Sequence, residues 1–317
     1  MKPLVSVVCL CYNHEQFVRE AIESVVNQTY PNIQLIIVDD CSHDGSASII
    51  QQLVDQNPRI TFIQLKENIG NCAAFNKGFA LVKGDFVIDF ATDDVMLGDR
   101  IEKQVNQFLK LDQSYGVAFT NADYIDSKGA FLRNHVEHLR GKKLISKIPE
   151  GSIFRDVLTR YFICGPTMMV RKKVFDLLNG YDENLAYEDF DFWVRSSRNF
   201  KYAYLDEVLT KVRRTGNSMS SGLYEQGDKQ LHSTFLVCQK GISLCSDEED
   251  RKSLLMRVRY EFKQAIFSGN KTEAKLFGQL EKEIDSHNWW FYFFTFLSWI
   301  PLPWSWIRKK YHRLLYN

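Results

Sequence analysis

The sequence lacks a CxxC pair, and its seven cysteines are scattered and odd in number. That excludes a cysteine zinc site and a paired disulfide framework, and it fits a reducing compartment. Cys9 and Cys11 stand two apart in an apolar run, so they share one face of a strand as small core residues. Neither charge is in excess: 40 Lys and Arg face 39 Asp and Glu, a formal net charge of +1 over 317 residues. With no strong basic field, nucleic acid is excluded as the main partner. The opening MKPLVSVVCLCYN holds an apolar run of only seven residues. It reads as a strand, too short for a signal peptide or a spanning helix. No glycine-rich triphosphate loop follows it, since the next residues are LCYNHEQ, which disfavours a sugar-nucleotide nucleotidyltransferase. His14, His43, His135 and His138 have no metal-ligand spacing among themselves and read as surface or loop histidines. No repeat or low-complexity segment stands out.

What is present is a globular composition, 45% hydrophobic and 25% charged, enough for one large domain and a smaller annex. Leu4 to Leu10 is β-branched and strand-like. Asn13 with Gln16 offers a cap and its partner before Phe17, Val18, Ala21, Ile22, Val25 and Val26 recur at helical spacing. Strands over 34–38, 60–65 and 85–90 alternate with helices marked by Ile49 to Val54 and by Asn71 to Val82. Such alternation predicts a mixed, mostly parallel central sheet with helices on both faces, an α/β fold, followed by a helical C-terminal region. A further strand is expected over 117–124, a hairpin turn at SKGA (127–130), a partly basic loop serving as a lid over 133–147, and two or three amphipathic helices between 224 and 284.

In open parallel sheets ligands sit beyond the carboxyl ends of the strands. Tyr12 and Asn13 end the first strand, Asp39 and Asp40 the second, Asp93 and Asp94 the fourth, so three strand ends converge on one polar edge. Paired carboxylates there are costly to desolvate without partners. A hard divalent cation, Mn²⁺ or Mg²⁺, that takes its remaining oxygens from phosphate and water is one resolution. A solvated turn capping the next helix at Asp99 is the other.

The stretch SVVCLCYNHEQFVREAIESVVNQTYPNIQLIIVDDCSHDGS, then ENIGNCAAFNKG, FATDDVMLGDR and GYDENLAYEDFDFWVR, resembles the family 2 glycosyltransferases, inverting enzymes of the A-type glycosyltransferase fold. The likeness covers about residues 4 to 220, and its ordered blocks together are far more specific than any one of them. The resemblance implies that Leu10 and Tyr12 line a base pocket and that Asp39 accepts the uracil N–H, a bond a charged acceptor strengthens. It implies that Asp93 lies on the ribose or diphosphate side, that Asp94 is the metal ligand, and that Asn76 and Arg214 are further donor-side residues. Asp189, in the pair Glu188-Asp189, is similar to the family's general base, which an acceptor hydroxyl requires before it attacks. The same pair would also stabilise the N-terminus of the helix it opens. The chain departs from the family where Ala91, Phe75 and Thr215 replace an acid, a base and a histidine. Arg213, Arg214 or Lys83 are the cations that would compensate.

The sequence ends in WWFYFFTFLSWIPLPWSWIRKKYHRLLYN. Twelve apolar residues do not cross a bilayer, but Trp and Tyr favour the headgroup level and the adjoining Lys and Arg favour anionic lipid. The alternative is a helix docked on the enzyme's own core or on a homodimer partner. The expected organisation is a catalytic region over 1–220 (a nucleotide-sugar half, 1–115, and an acceptor half, 116–220), a helical extension over 221–286 and the membrane-associating tail over 287–317. The implied activity is transfer from a UDP-type donor to a glycan or lipid-linked acceptor in cell-surface polysaccharide synthesis, on the cytoplasmic face of the membrane. A non-catalytic scaffold of the same fold is the rival.

Overall fold

The computed structural model describes residues 2–215 and 224–285. The tail expected at 287–317 lies outside the described residues. The strands are β1 Val5–Cys11, β2 Ile33–Asp39, β3 Thr61–Gln64, β4 Phe86–Ala91, β5 Val95–Met96, β6 Tyr115–Ile125, β7 Phe131–Asn134, β8 Met169–Arg171 and β9 Lys201–Arg213. The helices are α1 Val18–Val26, α2 Ser46–Gln56, α3 Asn71–Phe79, α4 Arg100–Phe108, α5 His135–Gly141, α6 Phe154–Thr159, α7 Lys172–Leu178, α8 Asp189–Ser197, α9 Lys229–Leu244, α10 Glu248–Ser268 and α11 Lys271–Ile284.

The described residues divide into two compact units. The first runs to Ile153 and adds Phe162–Glu183 and the segment from Ser196 that contains β9. It holds one sheet in the order β3-β2-β1-β4-β8-β6-β9-β5, with β7 paired to β6. The β3, β2, β1 and β4 strands are parallel, with Cys11 beside Asp39 and Leu10 beside Ala91. β8 is antiparallel to both β4 and β6. β9 runs parallel to β6 and pairs antiparallel with β5 at its end.

β1 is buried throughout because both faces of it are covered, which is why its sequence runs VSVVCLC without alternating polar residues. Val5, Val7, Cys9 and Cys11 pack with Ile22 and Val25 of α1, Ile50 of α2 and Ile101, Val105 and Phe108 of α4. The other face takes α3. A Cβ on Gly78 would stand 2.6 Å from Val8 Cγ1 and 3.0 Å from Val38 Cγ2, so the missing side chain sets how closely that helix approaches the sheet.

Two expectations change. Asn13 does not cap α1: it is left-handed, at φ 57°, and its side-chain oxygen accepts from His43 N at 2.8 Å, so the helix starts only at Val18. The 133–147 loop contains α5, because Asn134 accepts from Glu137 N and caps a helical turn there.

The second unit comprises Phe154–Tyr161, Asn184–Arg195 and the helices α9 to α11. Among the described residues three helices follow residue 224, matching the two or three expected. Inside this unit Arg257 donates to Glu261 Oε1 at 3.1 Å and to Leu158 O at 3.0 Å, and lies 4.2 Å from the Tyr161 ring.

Candidate active site

Three loops leave the carboxyl ends of β1, β2 and β4, and short side chains lace them together. After β2, Asp39 is fully buried and accepts from Ser42 N at 3.0 Å and Ser42 Oγ at 2.5 Å. Ser42 Oγ in turn accepts from Asn13 N at 2.9 Å. Asp40 accepts from Ile69 N at 2.8 Å and Gly70 N at 3.0 Å, which fixes the entry to α3. Tyr12 stands 42% exposed at the rim, edge-on to His43, and Leu10 lies buried behind it. This edge is the convergence that the strand order predicts.

The turn after β4 carries the paired acids. Asp94 is 3% exposed, and its Oδ1 accepts from Arg213 N at 2.8 Å. Burial, and then the charge of Asp93, hold its carboxyl well above the ordinary carboxylate range, against the pull of the Arg213 N–H and the Arg214 and Arg100 cations. The Asp99 turn does not account for the pair, since Asp99 caps nothing with its side chain and instead pairs with Lys103 at 2.7 Å. Two adjacent carboxylates, one of them buried at an electrostatic loss, fit a hard divalent cation, because the cation would relieve that loss and takes oxygen donors. Among the described residues no group of three or more His, Cys, Asp or Glu is arranged to hold a metal. A bound ion would draw its other ligands from phosphate and water.

His14, read from sequence as a surface or loop histidine, lies in the loop after β1 and belongs to this edge. Its Nδ1 lies 2.8 Å from Thr92 Oγ1 and its Nε2 4.0 Å from Asp93 Oδ2. Seventy-eight residues separate His14 from Thr92, so no local spacing points to the pair. Arg100 is also new: it is fully buried, donates to Thr210 Oγ1 and Met168 O, and burial pulls its guanidinium down to about 10.

The compensating cations sort differently. Arg213 is spent inside the fold. Its Nε donates to Asp93 O at 2.9 Å, Nη1 to Asp126 O at 3.1 Å and Nη2 to Glu20 Oε2 at 2.7 Å, with its cation 4.6 Å from the Phe17 ring. Lys83 precedes β4 and lies toward the amino ends of the parallel strands, where its N–H bonds Gln34. Arg214 packs 4.5 Å from the Tyr124 ring and its charge reaches Asp94.

Asn76, expected on the donor side, makes bonds within the fold. Its Nδ2 donates to Tyr181 O and Glu183 Oε1, both at 2.9 Å, and its Oδ1 accepts from Tyr181 N at 2.9 Å. With both amide protons engaged, Asn76 clasps α3 to the 181–183 loop and has no donor left for a ligand. Phe75 beside it is core, 4.4 Å from Tyr181 and 5.0 Å from Phe175, which accounts for an aromatic residue where the family has a base.

In the second unit Glu188 and Asp189 open α8, with Glu188 O accepting the first helical bond from Phe192 N. Asp191, one turn on, is buried and neutralised by Arg195 at 2.6 Å and Lys240 at 2.7 Å. That tie keeps the helix start in place and leaves Asp191 out of acid–base work.

The chain matches the sequence model of glycosyl transferase family 2 over residues 6–178. It is 33% identical over 216 residues to an uncharacterised glycosyltransferase of Methanocaldococcus jannaschii, covering 67% of this chain and 71% of that one. It is 29% identical to the putative teichuronic acid biosynthesis glycosyltransferase TuaG of Bacillus subtilis, covering 72% of this chain and 86% of TuaG. Among solved structures, residues 1–349 of S. aureus TarS in complex with UDP superpose with a TM-score of 0.67 at 15% identity, over 93% of this chain and 88% of that TarS fragment, so the two share the A-type fold. On sequence and architecture together, the chain belongs to glycosyl transferase family 2 and is a glycosyltransferase.

Proposed function

We propose that the protein is an inverting glycosyltransferase that uses a UDP-sugar donor and a glycan or lipid-linked acceptor in cell-surface polysaccharide synthesis. Support for the donor comes from the polar edge of the sheet and from TarS, which holds UDP; support for the setting comes from the likeness to TuaG, a putative teichuronic acid biosynthesis glycosyltransferase. Asp39, rigidly held by Ser42, accepts the uracil imide N–H beside Tyr12 and Leu10. Asp94 would hold Mn²⁺ or Mg²⁺, Asp93 lies on the ribose or diphosphate side, and Arg214 adds positive charge toward the diphosphate. When bound, the cation neutralises the departing diphosphate. Asp189, with Glu188 beside it, takes the proton from the acceptor hydroxyl as that oxygen bonds the anomeric carbon from the face opposite the leaving group, which inverts the centre. Residues 1–220 form the catalytic region, 221–286 its helical extension, and 287–317 a tail that holds the enzyme at the cytoplasmic membrane surface.

The observation that carries this reading is the burial of Asp94 beside Asp93, which disfavours its charged form and which a cation would relieve. Thermal melts with a panel of UDP-sugars, with and without Mn²⁺, test it, because a ligand that binds the native state raises Tm in proportion to its affinity. The wild type gains most with donor and Mn²⁺ together. Asp94→Asn keeps the oxygen that accepts from Arg213, loses the Mn²⁺-dependent gain, and in metal-free buffer melts higher than wild type by roughly 2–4 °C for each kcal/mol of burial relieved. An equal donor-and-metal gain in Asp94→Asn, or none in the wild type with any nucleotide sugar, contradicts it.

A further inference from the structure

The edge strand β7 breaks the usual rule for such strands. Among the described residues it pairs on one side only, with β6, yet its first two residues, Phe131 and Leu132, are 63% and 51% exposed. Leu144, just past α5, is 44% exposed. An unprotected apolar edge is an aggregation hazard unless something covers it.

The charge around it identifies what. From Ser127 to Lys147 the sequence has six Lys and Arg against the single acid Glu137, in a chain balanced overall at 40 to 39. Two of these cations are close together: burial first, and then the charges of Arg133 and Lys142, lower the pKa of His138, and Arg133 lies 4.9 Å from the Tyr124 ring of β6. The nearby acid Asp126 is occupied, with its Oδ1 accepting from Lys128 N and Ala130 N, both at 2.8 Å. It therefore serves to fix the hairpin turn that presents Phe131.

We propose that the β6–β7 hairpin and the start of α5 form a docking surface for an anionic lipid membrane, separate from the C-terminal tail. Phe131 and Leu132 enter the headgroup and acyl boundary, while Lys128, Arg133 and Lys142 face the acidic headgroups. An exposed Phe-Leu pair inside a basic ring suits a lipid surface better than RNA, whose readers present aromatic rings to bases along a groove. The placement complements the proposed lipid-linked acceptor but does not depend on it.

The test is co-sedimentation of the full chain with vesicles of phosphatidylcholine alone or with one third phosphatidylglycerol, combined with hydrogen exchange. The wild type binds the anionic vesicles, and amides of residues 128–133 gain protection. Phe131→Ser/Leu132→Ser and Lys128→Gln/Arg133→Gln/Lys142→Gln each weaken that partition, the triple variant on the order of a hundredfold. Both variants keep the wild-type melting point and the donor-and-Mn²⁺ gain, so failure here is distinct from failure of the donor reading. Equal binding to neutral vesicles, unchanged partition in both variants, or bound protein whose 128–133 amides exchange as in solution overturns the proposal. So does charge-dependent binding to single-stranded RNA without vesicle binding.

Discussion

Arg213 shows how much of this edge rests on one side chain. Its backbone N–H holds Asp94, and its guanidinium reaches the turn after β4, the β6–β7 hairpin and α1. A planar fork with donors in three directions suits that task, and an ammonium on a flexible stem does not. Arg213→Ala removes four side-chain bonds and leaves the Asp93, Asp126 and Ser127 carbonyls short of a donor. It should lower unfolding free energy by about 2–4 kcal/mol in urea titration, with little of that from Glu20, which stays solvated. Arg213→Lys should recover less than half. A full-stability Arg213→Ala with weakened donor binding would instead make Arg213 a phosphate group partner. None of this is visible in the sequence, where Arg213 and Arg214 are an undifferentiated basic pair. Asp39, Asp93 and Asp94 are legible because strand ends are legible, whereas the neighbours that tune them, His14, Thr92, Arg100 and Arg213, arrive from distant segments.

The elements divide along the same line. The strand–helix alternation through β4 is written in local periodicity, and each of β1 to β4 falls within a residue or two of its expected place. The antiparallel insertion of β8 between β4 and β6 is long-range pairing, which no local pattern encodes. α5 had a usable signal, Asn134 followed three residues later by Glu137, masked by the basic composition around it. The clasp between α3 and the loop after α7 offers a sharp test. Gly180 is left-handed, at φ 74°, and a Cβ there would stand 2.3 Å from Asn76 Oδ1. Gly180→Ala combines backbone strain with loss of the clasp and should cost about 2–3 kcal/mol, measured by urea unfolding. A second test concerns α5. His135 bonds Tyr124 OH at 3.1 Å and Phe162 O at 2.9 Å, and burial lowers its pKa from 6.5. A depressed folded pKa means that the unfolded chain binds the proton first, so this contribution is intact above about pH 6.5 and is lost as pH falls below it. Urea midpoints should therefore drop between pH 7.5 and 5.5, and His135→Gln should flatten that slope.

Across the whole molecule, the donor residues and the base candidate belong to different compact units, with Asp39 and Asp94 in the first and Glu188 and Asp189 in the second. The chain passes between the units several times rather than once, so neither is a detachable module in sequence. If the first unit binds the activated sugar and the second supplies the base, binding and transfer should separate under mutation. Asp189→Asn preserves shape and hydrogen-bonding capacity while removing the proton acceptor. It should leave the donor-and-Mn²⁺ thermal gain within error of wild type, because that gain depends only on native-state affinity for donor. Its transfer rate should fall by about 10²–10⁴, the usual contribution of a positioned base. The measured pair is thus a melting curve and a transfer assay on the same sample. Asp94→Asn should lose both, and Asp189→Asn only the second. If Asp189→Asn retained transfer, the carboxylate would be left with the helix-stabilising role alone, visible as a small loss of stability from the N-terminus of α8. Glu188→Gln separates the two acids further: as a neighbour rather than the base, it should slow transfer far less than Asp189→Asn does.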